Sequence, residues 1–232
     1  MKIGGLQPLT LTDYPGKVAA IIFTSGCNMR CHFCYNPNLV LPELIAQQFF
    51  MPEEEVWRTL ENRKKYLDAI CLTGGEPLMQ EDIIDFCRRL KKLGYLIKLD
   101  TNGLMPQKLA EIIGAGVIDY IAMDIKGPLN NYEKYCQIAV PEDVIIKSIG
   151  LVINSGIDYE FRSTLVRGLH DREDVVKMAE AIKGAKKYYL QNFFQPEHIV
   201  NEQFVGGSFG PKEMEALKEV ARLLVDATEV RC

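Results

Sequence analysis

Residues 27–34 read Cys-Asn-Met-Arg-Cys-His-Phe-Cys, a C-x3-C-x2-C spacing on one short segment. Thiolates are soft ligands suited to zinc or to iron–sulfur clusters. A structural zinc site needs four ligands to close its tetrahedron. Only three cysteines lie together, and His32, next to Cys31, would strain the loop as a fourth ligand. Three thiolates on a four-iron cluster leave one iron open to a further ligand, and backbone amides of such a loop can hydrogen-bond the cluster sulfurs. The cysteines therefore point first to a [4Fe–4S] cluster held by Cys27, Cys31 and Cys34.

Three more segments carry chemistry-bearing residues. Gly74-Gly75-Glu76-Pro77 joins glycines, which allow close approach to the backbone, to a carboxylate that can receive an ammonium. It also reads as a plain strand-to-helix turn, which leaves the carboxylate unexplained. Asp100-Thr101-Asn102-Gly103 carries an Asx-type turn signal. Asp124-Ile125-Lys126 reads on its own as a surface salt bridge of small energetic value. Arg162 lies inside an apolar-rich run, where a charged residue faces an interior or pairs with a carboxylate.

The elements that must position these residues follow from apolar periodicity. Predicted strands cover 17–24, 69–73, 95–101, 118–125, 158–166 and 187–193. Predicted helices cover 52–67, 81–93, 106–113, 142–154, 171–182 and 211–227. Asp171 is expected to cap its helix. Alternation of this kind predicts a parallel sheet with outer helices. Six βα-type units are fewer than the eight of a closed barrel. The expected fold is α/β, a partial, laterally open (β/α)6 barrel, with a flat doubly wound sheet as the alternative. In either case chemistry belongs at the C-terminal ends of the strands. No Pro/Ser-rich linker interrupts 1–232, so one domain is expected.

Hydrophobic residues make up 47% of the 232, enough for a sizeable core, and the net charge of −4 with no basic run argues against a nucleic-acid partner. No apolar stretch approaches the roughly 20 residues that span a bilayer. The N-terminus lacks the pattern of a signal peptide. A cytoplasmic protein with no membrane partner is expected, in which disulfides are disfavoured. Cys71 and Cys87 are expected to be buried apolar or surface residues. Cys136 and Cys232 show no ligand spacing.

The cysteine spacing, with Phe33 before the last cysteine, resembles the signature of the radical S-adenosylmethionine superfamily. The matching of Gly74-Gly75-Glu76, Asp100-Thr101-Asn102-Gly103 and Asp124-Ile125-Lys126 in order strengthens it. So does Leu11–Lys17, similar to the opening of activating enzymes for anaerobic ribonucleoside-triphosphate reductase and, more loosely, of pyruvate formate-lyase activases. The resemblance implies a [4Fe–4S] cluster and S-adenosylmethionine, with Glu76 at the cofactor's amino group and Asp100, Asp124 and Lys126 at its methionine part. It adds Phe33, Gly74, Gly75 and Arg162 to the cofactor-binding set. It also implies a monovalent cation at Asp100, Thr101, Met123 and Asp124. The partners implied are a glycyl-radical enzyme as protein substrate and flavodoxin or ferredoxin as electron donor. Relatives carry a histidine near the adenine where this chain offers Gln195 or His198. A superfamily enzyme acting on a small molecule, such as a 7-carboxy-7-deazaguanine synthase, shares the cysteine and Gly-Gly-Glu segments and stays open. So does a non-catalytic iron–sulfur protein.

Overall fold

The computed structural model describes residues 1–195 and 197–231; Pro196 and Cys232 lie outside the described residues. All six predicted strands are present, as β2 (Ala19–Thr24), β3 (Ala69–Gly74), β4 (Leu96–Thr101), β5 (Tyr120–Asp124), β6 (Asp158–Leu165) and β7 (Tyr188–Asn192). Two strands were not predicted, β1 (Ile3–Thr10) and β8 (Thr228–Arg231). The eight strands follow chain order, β1 to β8, in an open, mostly parallel sheet, the expected α/β class. β1 contains Gly4, Gly5 and Pro8. It pairs antiparallel to β2 with register shifts on both sides of its centre. Proline is tolerated at such a sheet edge.

The helices appear close to their predicted spans: α3 (Glu53–Arg63), α4 (Ile83–Lys92), α5 (Pro106–Gly114), α7 (Glu142–Ile153), α8 (Arg172–Ala181) and α9 (Pro211–Arg222). Each buries an apolar stripe. In α4 the buried residues are Ile83, Phe86, Cys87 and Leu90, at the i, i+3, i+4, i+7 spacing of one helix face. Asp171 caps α8 as expected, its side chain accepting from the Asp174 amide while the Asp174 carboxylate accepts from the Asp171 amide. Short helices α1 (Pro37–Val40), α2 (Pro42–Ile45) and α6 (Glu133–Cys136) were not predicted. At four residues each they lack enough sequence to show a period.

The chain divides into two compact units. The first comprises Met1–Asn28, Asn36–Thr101 and Gln107–Ile121; the second comprises Met29–Tyr35, Asn102–Pro106 and the described part of 122–232. In the first unit β2, β3 and β4 are parallel, with Ile21, Cys71 and Lys98 in register. Tyr14, Ala19, Ile21, Ala69, Cys71 and Tyr120 form a buried cluster, joined by Phe23 and Leu96. Because side chains alternate along a strand, Leu96, Lys98 and Asp100 leave β4 on one face. That face therefore changes from apolar to charged toward the C-terminal strand end. In the second unit β6, β7 and β8 are parallel. Arg231 on β8 makes two 2.8 Å contacts with the fully buried carboxylate of Glu160 on β6.

Candidate active site

In the first unit, the strand end carrying Gly74-Gly75-Glu76 is tied to the residue preceding Cys27. The Glu76 amide donates to the Gly26 carbonyl at 2.7 Å, and the Gly75 amide to the Thr24 carbonyl at 2.9 Å. The Gly26 amide donates to the Leu39 carbonyl at 2.8 Å. This close approach explains the glycines. A Cβ at Gly74 would lie 2.5 Å from the Thr24 backbone, and one at Gly75 would lie 2.0 Å from the Gly26 oxygen. The sequence suggested that these glycines clear space for a ligand; their observed neighbours are β2 and the start of the cysteine loop. Gly26 itself sits at φ +103°, a left-handed region that favours glycine.

Glu76 is 1% exposed, and its Oε1 accepts from the Leu78 amide at 3.1 Å and from the Thr101 hydroxyl at 2.9 Å. The carboxylate thus joins the ends of β3 and β4. Two residues before Asp100, Lys98 is also 1% exposed, and its ammonium is bonded to Asp100 Oδ1. A lysine this deep in a strand is seldom found without a charged partner.

In the second unit, the rest of the cysteine loop is fastened by backbone contacts. The Arg30 amide donates to the Cys136 carbonyl at 2.9 Å and the Cys34 amide to the Cys31 carbonyl at 3.2 Å. The segment after β7 also reaches it: the Val200 amide donates to the Cys34 carbonyl and the Asn201 amide to the His32 carbonyl. The Asn201 side-chain amide lies 2.8 Å from His32 Nδ1, and Phe204 stacks on the His32 ring. Cys31 is buried, while Cys27 and Cys34 are partly exposed. Phe33 is buried edge-on to His170 and Phe193.

Asp124 ends β5 between two cations. Arg162 Nε donates to Oδ1 and Lys126 Nζ to Oδ2, each at 2.9 Å. These side chains are 13–25% exposed, so the group is not the surface bridge that Asp-x-Lys suggested alone. Burial works against the Asp124 charge, but Arg162 and Lys126 outweigh it and hold the carboxyl down at about 2. Burial likewise opposes the Lys126 charge, but Asp124 and the nearby Cys31 sulfur raise its pKa well above the ordinary lysine value. The Lys126 backbone is held at both ends: its amide donates to the Tyr132 hydroxyl at 3.0 Å, and its carbonyl lies 2.9 Å from His170 Nε2. His170 Nδ1 accepts from the Val166 amide, so Nε2 carries the proton that the Lys126 carbonyl receives.

Cys71, Cys87 and Cys136 are buried thiols, and burial pushes Cys87 up to about 12, the range of an inert cysteine. Gln195 and His198 are exposed, and His198 sits beside Glu197 and Glu202. Sequence reasoning passed over Gly26, Lys98, Tyr132, His170 and Asn201. Of these, Lys98 left a signal, a lysine inside an apolar run with an aspartate two positions on.

The residues present suit an iron–sulfur cluster and its organic ligand. Three thiols sit on a loop whose backbone is fixed by the neighbouring chain. Ser25, 2% exposed and two residues before Cys27, has a hydroxyl with no hydrogen-bond partner among the described residues. A buried orphan of this kind is unusual in a finished site.

The model of the Radical SAM superfamily matches residues 21–182. The chain belongs to that superfamily. As a radical SAM protein it uses a [4Fe–4S] cluster and S-adenosylmethionine. It is 32% identical over 236 residues to "Putative glycyl-radical enzyme activating enzyme MJ1227" of Methanocaldococcus jannaschii, covering 99% of this chain and 95% of that one. It is 27% identical over 173 residues to a GTP 3',8-cyclase of Aquifex aeolicus, covering 73% and 53%. Among solved structures, Streptococcus suis SuiB bound to S-adenosylmethionine aligns with a TM-score of 0.69 at 15% identity, covering 91% of this chain and 52% of that one. That likeness concerns the fold, and the chain spans about half the length of that structure. Among the described residues, no helix is long and apolar enough to cross a membrane.

Proposed function

We propose that this radical SAM protein is an activating enzyme that generates a glycyl radical on a partner enzyme, acting as one domain across 1–232 in the cytoplasm. The partner class that fits best is anaerobic ribonucleoside-triphosphate reductase, with flavodoxin or ferredoxin as reductant. In this reading Cys27, Cys31 and Cys34 hold the cluster. Glu76 receives the amino group of S-adenosylmethionine, with Gly74 and Gly75 fixing the turn that presents it. Asp100, Asp124, Lys126 and Arg162 set the charge around the methionine part, and Phe33 closes the apolar side.

The observation that carries this reading is the 2.7 Å bond from the Glu76 amide to the Gly26 carbonyl, which couples the carboxylate turn to the residue before Cys27. The chain's own groups then have separable tasks. Thr101 donates to Glu76 Oε1 and fixes the carboxylate's direction. Arg162 and Lys126 keep Asp124 ionised, and Lys126 sets a positive group beside Cys31. His170 and Tyr132 hold the Lys126 backbone still, so its ammonium is aimed without loss of order on binding. When bound, the cofactor pair supplies reductive cleavage at a sulfonium and thereby hydrogen-atom abstraction from carbon. That chemistry needs no general acid or base from the chain. The near full-length similarity to a named activating enzyme supports a protein partner.

The test is anaerobic incubation of reconstituted protein with dithionite, S-adenosylmethionine and candidate glycyl-radical enzymes. The expected result is 5′-deoxyadenosine together with a glycyl doublet by electron paramagnetic resonance, both lost in Cys31→Ala. Cleavage without a doublet on any candidate, but with consumption of added GTP, would favour the small-molecule reading suggested by the cyclase relatives.

A further inference from the structure

The resemblance to glycyl-radical-enzyme activases implies a monovalent cation at Asp100, Thr101, Met123 and Asp124, and the residues of this chain do not fit one. Hard cations are bound by oxygen ligands whose negative charge is available to them. In the first unit, Asp100 Oδ1 already holds the Lys98 ammonium, on a side chain that is 2% exposed. In the second unit, both Asp124 oxygens hold cationic groups, Arg162 at Oδ1 and Lys126 at Oδ2. The Met123 side chain is fully buried against Gly103, where a Cβ would lie 2.2 Å from the Met123 methyl carbon.

We propose that the Lys98 ammonium stands in for the monovalent cation at Asp100, so that this protein has a tethered charge where an exchangeable ion would otherwise bind. The location of Lys98 favours this reading. It leaves β4 on the same face as Asp100, in register with Cys71 above the apolar cluster of Tyr14, Ile21 and Tyr120. From there its stem crosses apolar surroundings and delivers only the charged tip to the carboxylate, as long cationic side chains do. A tethered ammonium cannot be diluted away, and its three donors are directional where a bare ion is not. The consequence is a site indifferent to the choice between K+ and Na+. This inference rests on the reading that Asp100 belongs to the cofactor site.

Two cofactor-free measurements test it. Wild-type protein is melted at one ionic strength in KCl, NaCl and tetramethylammonium chloride, and sodium-23 relaxation is recorded with and without the protein. The expected result is one melting temperature in all three salts and no sodium broadening that Asp100→Asn removes. Lys98→Met, of similar volume, should acquire a melting temperature raised by K+ or Na+ relative to tetramethylammonium. A salt-specific shift in the wild type, or sodium broadening abolished by Asp100→Asn, would overturn the proposal. So would a folded Lys98→Met protein that ignores K+ and Na+. Should Lys98→Met fail to fold, the wild-type measurements decide alone. In the reconstituted protein, 5′-deoxyadenosine should form at equal rates in the three salts. Its absence from all of them would sink the functional reading while leaving the cofactor-free result to stand.

Discussion

Asp100 and Asp124 both end strands, and each is neutralised in a different way. Asp100 takes an ammonium from its own strand, two residues back. Asp124 takes one cation from two residues on and a second from β6, and the lysine also feels the Cys31 sulfur. The first contact lies within one strand, and the second joins β6 to the end of β5. The first arrangement is set locally, the second by strand pairing, because Arg162 meets Asp124 only where the Ile125 amide bonds the Arg162 carbonyl.

The largest expected effect is therefore at Asp124. Asp124→Asn removes the carboxylate that Arg162 and Lys126 both hold and should cost about 3–5 kcal/mol, the range for breaking a buried pair, measured by urea unfolding. The same contrast appears in pH. The folded Asp124 carboxyl, at about 2, lies below its ordinary value of 3.8. The folded protein therefore binds fewer protons there than the unfolded chain, and this stability is present above about pH 4 and lost as pH falls toward 2. Asp124→Asn should lack that part of the acid slope; an unchanged slope would contradict the assignment.

Lys98→Met should cost less, about 1–3 kcal/mol, because it removes a single charged hydrogen bond to Asp100. The double change Lys98→Met with Asp100→Leu should recover most of that loss, since replacing a whole buried ion pair by apolar groups is close to neutral. The smallest effect belongs to Thr101→Val, about 1 kcal/mol for one hydrogen bond to Glu76. Its diagnostic would be a weaker S-adenosylmethionine affinity in the loaded protein.

Much of the fold was legible because the signals are local. Strands β2 and β3 are short runs buried along nearly their whole length, and α4, α7 and α9 show a clear apolar stripe. β1 was not legible because its Gly-Gly and Pro8 break strand periodicity, and it is a strand only through pairing with β2. β8 is four residues long and held by β7 and by the Arg231–Glu160 contact, neither visible from nearby residues. Within the site, the cysteine trio, Gly-Gly-Glu and the strand-end aspartates were found from type and spacing. His170 and Asn201 were not, since their partners, the Lys126 carbonyl and His32, lie 44 and 169 positions away.

By itself, then, the sequence determined which chemistry-bearing groups this protein has and on which elements they ride, because ligand spacing, capping and apolar period are properties of neighbouring residues. Tertiary structure alone decided why Gly75 must be glycine, which cation each aspartate holds, and that Lys98 is buried with its charge intact. Those outcomes depend on backbone approach and on charge pairing away from water, and both exist only once distant strands have been brought together.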